Sequence, residues 1–247
     1  MNADDIKKYW GERASKGHQA TTDDVYMKSI EYSVLKDRIA THKPRSVIDI
    51  GCGDGKTTVK LAEQFPEIKF RGIDNSEPMI NEALKNDVEN VTFEVDDVLS
   101  VNGSYDMAIT VRCIINLPTW DKQVEALFNV HWMLPSGGIY LMIENFTSGH
   151  NKMNEARNLY GLKEIPVRDH NLFFGEYTIN ALATFYDLLE DVNISSTYYL
   201  ATRCVYTRIC MDEGIEPDYF SPHHRYAARL PFAGDYGPIR LLVWRKK

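Results

Sequence analysis

The chain has 247 residues, of which 44% are hydrophobic, and its 35 acidic and 28 basic residues give a formal net charge of −7. An acidic chain without a basic block is unlike proteins that neutralise a phosphate backbone, so we expect no nucleic-acid partner. No apolar run reaches the roughly 20 residues of a membrane span, and the polar start is unlike a secretion signal. We therefore expect a globular cytoplasmic protein with no membrane partner.

The four cysteines, Cys52, Cys113, Cys204 and Cys210, show no paired spacing that is typical of a metal site. They lie mostly in apolar or strand-like runs, which favours buried thiols. We expect no metal.

Most of the chain alternates two kinds of pattern. Residues 23–42 predict an amphipathic helix that Pro44 separates from the first strand. Short β-rich runs then alternate with helical patterns, which is typical of parallel strands joined by crossover helices. The strands are predicted at 46–50, 68–74, 91–95, 105–112 and 137–145, and the helices at 57–65, 77–86 and 121–134.

The last hundred residues break this alternation. Residues 146–180 are polar and aromatic, 181–192 predict a helix, and 195–211 and 237–247 predict two long strands. Two late strands joined by a loop are expected to be antiparallel neighbours at one side of the sheet. The whole pattern predicts an α/β fold with a doubly wound, Rossmann-like seven-stranded sheet, an antiparallel final strand pair and a cap formed by insertions.

The stretch VIDIGCGDGKTT, residues 47–58, predicts a ligand-binding turn. Its three glycines allow a tight exit from the strand and a close approach of the backbone to a ligand at the carboxyl edge of the sheet. The dinucleotide fingerprint requires a glycine where Lys56 stands, and the rest of a P-loop frame is missing. Asp49 and Asp54 flank the turn and would repel a pyrophosphate, so the ligand should carry a cationic group.

Acidic residues also end the next two strands. Asp74 can accept both hydroxyls of a ribose, as acidic residues do in other doubly wound nucleotide folds. Asp96 or Asp97 could accept an exocyclic amine, while Met79 and Val98 would supply apolar faces for a flat base. Together these groups predict adenosine joined to an amino acid.

At family level the chain resembles the class I S-adenosylmethionine-dependent methyltransferases, over roughly Ser46 to Asn145. VIDIGCGDG is similar to the glycine-rich first motif of that family, GIDNSEPMI to its acidic second motif and VDDV to its adenine-contacting third. YDMAITVRCIINL and LPSGGIYLMIEN are similar to its fourth and fifth strands. The resemblance implies S-adenosylmethionine as cofactor and S-adenosylhomocysteine as product.

The resemblance also implies roles for residues. Asp49 and the backbone from Gly51 to Gly53 would receive the methionine part, Asp74 the ribose, and Asp97 or its neighbour the adenine. Arg112 departs from the family, because many relatives have a smaller or apolar residue there. The predicted cofactor-binding residues are Asp49, Gly51, Cys52, Gly53, Asp74, Asn75, Met79, Asp96, Asp97, Val98 and Arg112.

Structural roles compete with several of these assignments. Asp54 could cap the helix that begins near Lys56, and Met79 and Val98 could belong to the core. Lys56 is expected on the solvated helix surface. Asn75 or Ser76 would cap the next helix well, but Asp74 ends a strand in the ligand crevice, which favours binding.

We expect one domain over residues 1–247. Within it, residues 1–43 would form an N-terminal helical lid, 44–145 the cofactor-binding core, and 146–180 and 212–236 substrate-cap insertions. Tyr9, Trp10 and Arg13 are either lid residues or ordinary packing residues.

Methyl transfer from a sulfonium is an in-line displacement that depends on positioning the nucleophile and excluding water. A hydroxyl acceptor also needs a general base, whereas a neutral amine does not. The irregular segments and the end of the fifth strand supply the candidates, each of which could instead be solvated or structural. The catalytic candidates are His170 and Glu144, and the substrate-binding candidates are Asn145, Arg157, Arg168, Asn171, His223 and His224.

Arginines on an acidic protein favour an acceptor with a carboxylate or phosphate. We therefore expect a methyltransferase that acts on oxygen or nitrogen of a small polar, anionic metabolite such as a sugar or sugar nucleotide. The alternatives are a methyltransferase for protein or peptide side chains, a non-catalytic cofactor-binding partner subunit, and an NAD-dependent oxidoreductase, which Lys56 disfavours.

Overall fold

In the computed structural model, which describes residues 1–15 and 22–247, seven strands form one sheet in the order β3-β2-β1-β4-β5-β7-β6. The strands are β1 (Ser46–Ile50), β2 (Lys69–Asp74), β3 (Val91–Val95), β4 (Met107–Val111), β5 (Ile139–Asn145), β6 (Tyr186–Asn193) and β7 (Ile239–Lys246). The helices are α1 (Ala3–Arg13), α2 (Val25–His42), α3 (Lys56–Gln64), α4 (Glu77–Ala83), α5 (Trp120–Met133), α6 (Thr147–Leu159), α7 (Glu176–Leu182), α8 (Ser196–Tyr199), α9 (Thr207–Glu213) and α10 (Pro222–Ala227). A π-helical turn, Leu200–Tyr206, joins α8 to α9. Residues 16–21 of the predicted lid lie outside the described residues.

The sheet confirms the predicted α/β class. Strands β1 to β5 pair in parallel, and β7 inserts antiparallel between β5 and β6. The chain runs from β1 outward through β2 to β3 and then returns to β4 on the other side of β1. Such a reversal opens a crevice at the carboxyl ends of the strands, which is where doubly wound folds bind ligands.

Two apolar layers cover the faces of the sheet. One combines α2 and α3 with residues such as Val47, Leu141 and Leu241, and the other combines α5 with residues such as Ile48 and Tyr140. Every residue of β5 is buried, as expected for a central strand covered on both faces. Glu144 and Asn145 are therefore polar groups inside the core, and their side chains require internal partners.

The predicted strand at residues 195–211 is wrong, because this segment is helical. It contains α8, the π-helical turn and most of α9. Its β-branched and aromatic composition is typical of a strand. However, Tyr198, Thr202, Tyr206 and Cys210 are all buried and recur every fourth residue, which is the spacing of one helix face.

The predicted helix at residues 181–192 is also wrong. Helix α7 ends at Leu182, and residues from Tyr186 onward form β6 at the edge of the sheet. Leu, Glu and Asp disfavour a strand only weakly, and pairing with β7 overrides that preference. The final antiparallel pair is thus confirmed, with β6 as the partner of β7.

The helical segment at 196–213 links the two predicted cap insertions. Its π-helical turn contacts α6, which belongs to 146–180, and α10, which belongs to 212–236. That these segments form a substrate cap stays a prediction. Across residues 1–15 and 22–247, none of the helices has the length and apolar character needed to cross a membrane.

Candidate active site

A cavity of about 1190 Å³, counting the space at its open mouth, lies at the carboxyl ends of β1, β2 and β4. Nine of the eleven predicted cofactor residues line it. They are Gly51, Gly53, Asp74, Asn75, Met79, Asp96, Asp97, Val98 and Arg112. The parallel sheet brings these residues together because the carboxyl ends of its strands share one edge.

The glycine turn needs a residue without a side chain at its start. Gly51 has φ +75°, and a Cβ atom there would lie 2.4 Å from Sγ of Cys113 in the loop after β4. The amides of Gly51 and Cys52 both donate to the carbonyl of Ile73, at 2.8 and 2.9 Å. The turn is therefore fixed against both neighbouring strands.

Asp74 joins the glycine turn to the start of α4. One carboxylate oxygen accepts the amide of Gly53 at 3.0 Å, and the other accepts the amide of Ser76 at 2.9 Å. Burial raises the pKa of Asp74, and the two amides lower it. Each oxygen keeps a second lone pair, which suits a pair of ribose hydroxyls.

The structure distinguishes the two candidate adenine residues. Asp96 is paired with Arg71, whose Nη2 lies 2.9 Å from its carboxylate. In Asp97, Oδ1 accepts the amide of Leu99 at 2.9 Å, and Oδ2 has no partner among the described residues. This arrangement favours Asp97 for an exocyclic amine.

Three residues of the turn lie outside the cavity lining. Asp49 is buried and accepts a hydrogen bond from the hydroxyl of Thr58, and burial raises its pKa to about 6. Cys52 packs in the core beside Phe93, and burial raises the pKa of its thiol. Asp54 is paired with Nζ of Lys56 at 2.6 Å, so this lysine is not a purely solvated surface residue.

Helix α1 covers one side of the cavity. Ala3, Ile6 and Trp10 line it, and Trp10 also packs with Met79. This placement is the one expected of a lid, although the role of residues 1–43 as a lid stays a prediction.

His170, a catalytic candidate, lies outside the cavity lining and packs on α1. Its ring stacks on Tyr9 with centroids 4.5 Å apart and meets Trp10 edge-on at 5.8 Å. Burial, followed by the charges of Arg168 and Arg13, lowers the pKa of His170, so the ring is neutral at pH 7. In this arrangement the residue holds α1 in place.

Glu144, the second catalytic candidate, is enclosed by protein. Its Oε1 accepts the amides of Cys113 and Ile114 at 3.1 and 3.0 Å, which fixes the loop after β4. Burial raises the pKa of Glu144 to about 7, although both amides oppose the shift. Its neighbour Asn145 is also buried, and Oδ1 of that side chain has no hydrogen-bond partner.

The cap residues predicted to bind substrate do not converge. Nε of Arg157 donates to the carbonyl of Lys163 at 2.8 Å, and Nη1 donates to that of Arg203. Arg168 is exposed, and the amide of Asn171 donates to its carbonyl. None of these lines the cavity.

The two neighbouring histidines of α10 differ in burial, because His223 is exposed and His224 is buried. His223 stacks on Tyr206 with centroids 4.5 Å apart. His224 lies 3.0 Å from Nη1 of Arg203 and 3.1 Å from Oγ of Ser221. Burial and the charge of Arg203 lower its pKa to about 4. His224 is therefore neutral, and its Nε2 accepts a hydrogen bond from Arg203. The proton of the ring is then on Nδ1.

Sequence reasoning missed two groups of residues at this site. The loop after β4 contributes Cys113, Asn116, Leu117 and Pro118 to the cavity, and its position after a strand was the available signal. Helix α2 presents Lys28 and Glu31 toward the same end of the sheet, where Glu31 pairs with Arg112 at 2.8 Å. Among the described residues, no cluster of three or more His, Cys, Asp or Glu side chains could hold a metal ion.

The buried carboxyl of Glu144 predicts a pH-dependent loss of stability. Between its ordinary pKa of 4.5 and about 7, the folded chain holds a proton that the unfolded chain has lost. Rising pH should therefore destabilise the wild type relative to Glu144→Gln, by about 3 kcal/mol across this range. Urea unfolding of both proteins from pH 5 to pH 8 measures the difference, and parallel stability curves would contradict the shift.

The ring stack on Tyr9 predicts a structural role for His170. His170→Ala should raise amide hydrogen exchange in α1, because an aromatic pair stabilises by about 0.5 to 1.5 kcal/mol. His170→Phe keeps an aromatic ring and is the matched control, with exchange near the wild-type rate. Equal exchange in the alanine variant and the wild type would show that the stack does not hold α1.

Comparison with known proteins gives a family match. The family model described as "Methyltransferase domain" matches residues 41–209. Trans-aconitate 2-methyltransferase of Deinococcus radiodurans is 35% identical over 82 residues, 33% of this chain and 32% of that protein. Malonyl-[acyl-carrier protein] O-methyltransferase of Bacillus cereus is 32% identical over 129 residues, 50% of this chain and 45% of that protein. The matches thus span less than half the length of these relatives.

A solved structure shares the fold along the chain. Magnesium protoporphyrin IX methyltransferase from Synechocystis PCC 6803, with bound S-adenosylhomocysteine, superposes with a TM-score of 0.61 at 13% identity. The superposition covers 100% of this chain and 96% of that structure. The family model covers more than half of this chain, and the protein is accordingly a member of the class I S-adenosylmethionine-dependent methyltransferase family.

Proposed function

We propose that this protein transfers the methyl group of S-adenosylmethionine to oxygen or nitrogen of a small polar, anionic molecule. The observation that carries the proposal is the position of Asp74, which lines the cavity with both oxygens held by the glycine turn and the α4 start. A half-buried carboxylate so fixed offers preorganised acceptors for a ribose.

The electrostatics of the cavity suit this cofactor. Asp74, Asp96 and Asp97 line it, and carboxylates attract a ligand with cationic groups while repelling a pyrophosphate. Met79 and Val98 give apolar walls for a base, and Trp10 of α1 excludes water from that side. The bound cofactor supplies an electrophilic methyl group on a sulfonium, so the chain's own task is positioning.

An anionic acceptor is supported by charge and by the relatives. Arg112 lies at the end of β4 beside the cavity, where a guanidinium suits a carboxylate or phosphate. The two relatives named above are called after trans-aconitate and malonyl groups, both of which carry carboxylates. A sugar nucleotide also carries phosphate for Arg112, but the three aspartates of the cavity oppose its pyrophosphate, so a carboxylate suits the site better. The cytoplasmic location stays a prediction.

The proposal is tested by binding and by transfer. Calorimetry should detect S-adenosylmethionine and S-adenosylhomocysteine, with NADH as a negative control. Methyl-labelled cofactor should then label small carboxylic acids or sugar nucleotides in preference to peptides or ribosomal RNA. Labelling of peptide or RNA alone would overturn the small-molecule acceptor, binding without any transfer would support a non-catalytic subunit, and no binding would overturn the whole proposal.

Asp74 gives a sharper prediction. Asp74→Asn places an NH₂ group against a backbone amide and removes a charged acceptor, so the affinity for S-adenosylhomocysteine should fall about 10- to 100-fold. Asp87→Asn is the matched control, because Asp87 is exposed and its side chain forms no hydrogen bond or ion pair in the described part of the chain. Calorimetry on both variants measures the effect, and unchanged affinity in Asp74→Asn would refute the ribose assignment.

A further inference from the structure

Arg112 has an unusual backbone for a residue with a long side chain. Its φ is +50°, in the left-handed region that favours glycine. The other described non-glycine residue with positive φ, Lys43, ends helix α2, where this conformation is common. Arg112 ends no helix, and such outliers gather at functional sites. A role for this side chain is therefore indicated.

The loop around Arg112 enforces this conformation. The amide of Arg112 donates to the carbonyl of Ile143 at 2.7 Å, and its carbonyl accepts Nδ2 of Asn116 at 2.6 Å. Glu144 holds the next two amides. The direction in which the side chain leaves the strand end is thus fixed by contacts on both sides.

Only one edge of the Arg112 guanidinium has a partner among the described residues. Nε lies 2.8 Å from Oε1 of Glu31, and Nη2 donates to Oε2 at 3.2 Å, so this carboxylate covers one edge of the planar fork. Nη1 has no partner among the described residues, and a quarter of the side chain is exposed. The second edge, formed by Nη1 and Nη2, therefore has the geometry to receive another carboxylate in bidentate fashion.

The charged groups around Arg112 are of both signs. Glu31 is almost completely buried and already paired, so it orients Arg112. Lys28 lies one turn before Glu31 on α2, and its positive charge interacts with that of Arg112. Nζ of Lys28 also lies 3.7 Å from the carboxylate of Asp54. Asp24 is a further carboxylate whose charge acts on Arg112.

The described residues at the ends of β4 and β5 offer no free general base. Glu144 is completely buried, with Oε1 held by two amides and Oε2 without a partner inside the core, so it does not reach the cavity. Cys113 has a thiol whose pKa burial raises well above its ordinary value. The neutral rings of His170 and His224 are packed against α1 and Arg203. An acceptor that is already ionised at neutral pH requires no proton removal, and a carboxylate meets this condition.

We propose that the open edge of Arg112 binds one carboxylate of the acceptor, and that a second carboxylate of the same molecule receives the methyl group. This inference rests on the proposed function and specifies its substrate as a dicarboxylate. A carboxylate oxygen forms the new bond to the methyl carbon while the carbon–sulfur bond breaks and sulfur keeps the electron pair. The products are a monomethyl ester and a neutral thioether, and no proton is transferred.

The experiment uses the full chain with S-adenosylmethionine and named probes. The panel contains malonate, succinate, glutarate and trans-aconitate, with acetate and butyrate as matched monocarboxylates and UDP-glucose as a phosphate-bearing sugar. Mass spectrometry identifies methyl esters, which alkali converts to methanol. At least one di- or tricarboxylate should be esterified with a kcat/KM on the order of 100-fold above that of the monocarboxylates. A monocarboxylate lacks the second carboxylate and therefore loses the bidentate ion pair with Arg112.

Variants test the role of Arg112. Arg112→Lys keeps a cation for Glu31 but loses the fork, so KM for the dicarboxylate should rise on the order of 100-fold. This rise should exceed any loss of affinity for S-adenosylhomocysteine, which is measured alongside because Arg112 also lines the cofactor cavity. If the lysine variant does not fold, the double variant Arg112→Gln, Glu31→Gln replaces it, because it leaves no unpaired buried charge. The same rise in KM for the dicarboxylate is expected. Arg229→Lys is the matched control, because Arg229 is exposed and its side chain forms no hydrogen bond or ion pair among the described residues.

The possible outcomes distinguish a failure of the dicarboxylate proposal from a failure of the proposed methyltransferase function. Failure of the wild type to bind S-adenosylhomocysteine would overturn both. Binding with transfer only to UDP-glucose, no ester from any acid, equal use of mono- and dicarboxylates, or an unchanged KM in Arg112→Lys would each overturn the dicarboxylate proposal and leave the cofactor assignment intact.

Discussion

The active-site edge depends on one carboxylate that is shared between two turns. Asp74 ends β2, accepts the amide of Gly53 from the turn after β1, and accepts the amide of Ser76 at the start of α4. Parallel strands bring their carboxyl ends together, but they leave the turns between strand and helix unpaired. A half-buried acceptor between the turns fixes their spacing before any ligand arrives, which reduces the ordering required on binding.

Three fully buried acids follow the same rule elsewhere in the core. Glu144 holds the loop after β4, and Glu31 holds the guanidinium of Arg112. Asp24 caps α2 through the amide of Met27 and also accepts the hydroxyl of Tyr198 at 2.6 Å. A buried carboxylate is costly unless it is hydrogen-bonded, so each of these contacts is also a constraint on the position of a loop or helix.

The cap is fixed to the core through Arg203 in the π-helical turn. Its guanidinium pairs with Asp24, donates to His224 and lies over the rings of Tyr199 and Tyr219 at 4.8 and 4.7 Å. π-Helical turns are rare and often accompany functional sites. Here the wider turn presents a cation toward α2, so the position of the segment at 196–213 is set by packing against the core and does not follow from that segment alone.

The sequence by itself determined the alternating core and the cofactor edge, because hydrophobic period and glycine spacing are local signals that parallel pairing then gathers at one edge. Tertiary structure alone decided which late segments are strands. Residues of β6 form a strand because they pair with β7, and residues 195–211 are helical because one face of that helix is buried against the protein. Tertiary structure also decided that His170 faces α1 and that Arg112 keeps an open edge. Such outcomes depend on contacts between residues far apart in the chain, which no local pattern encodes.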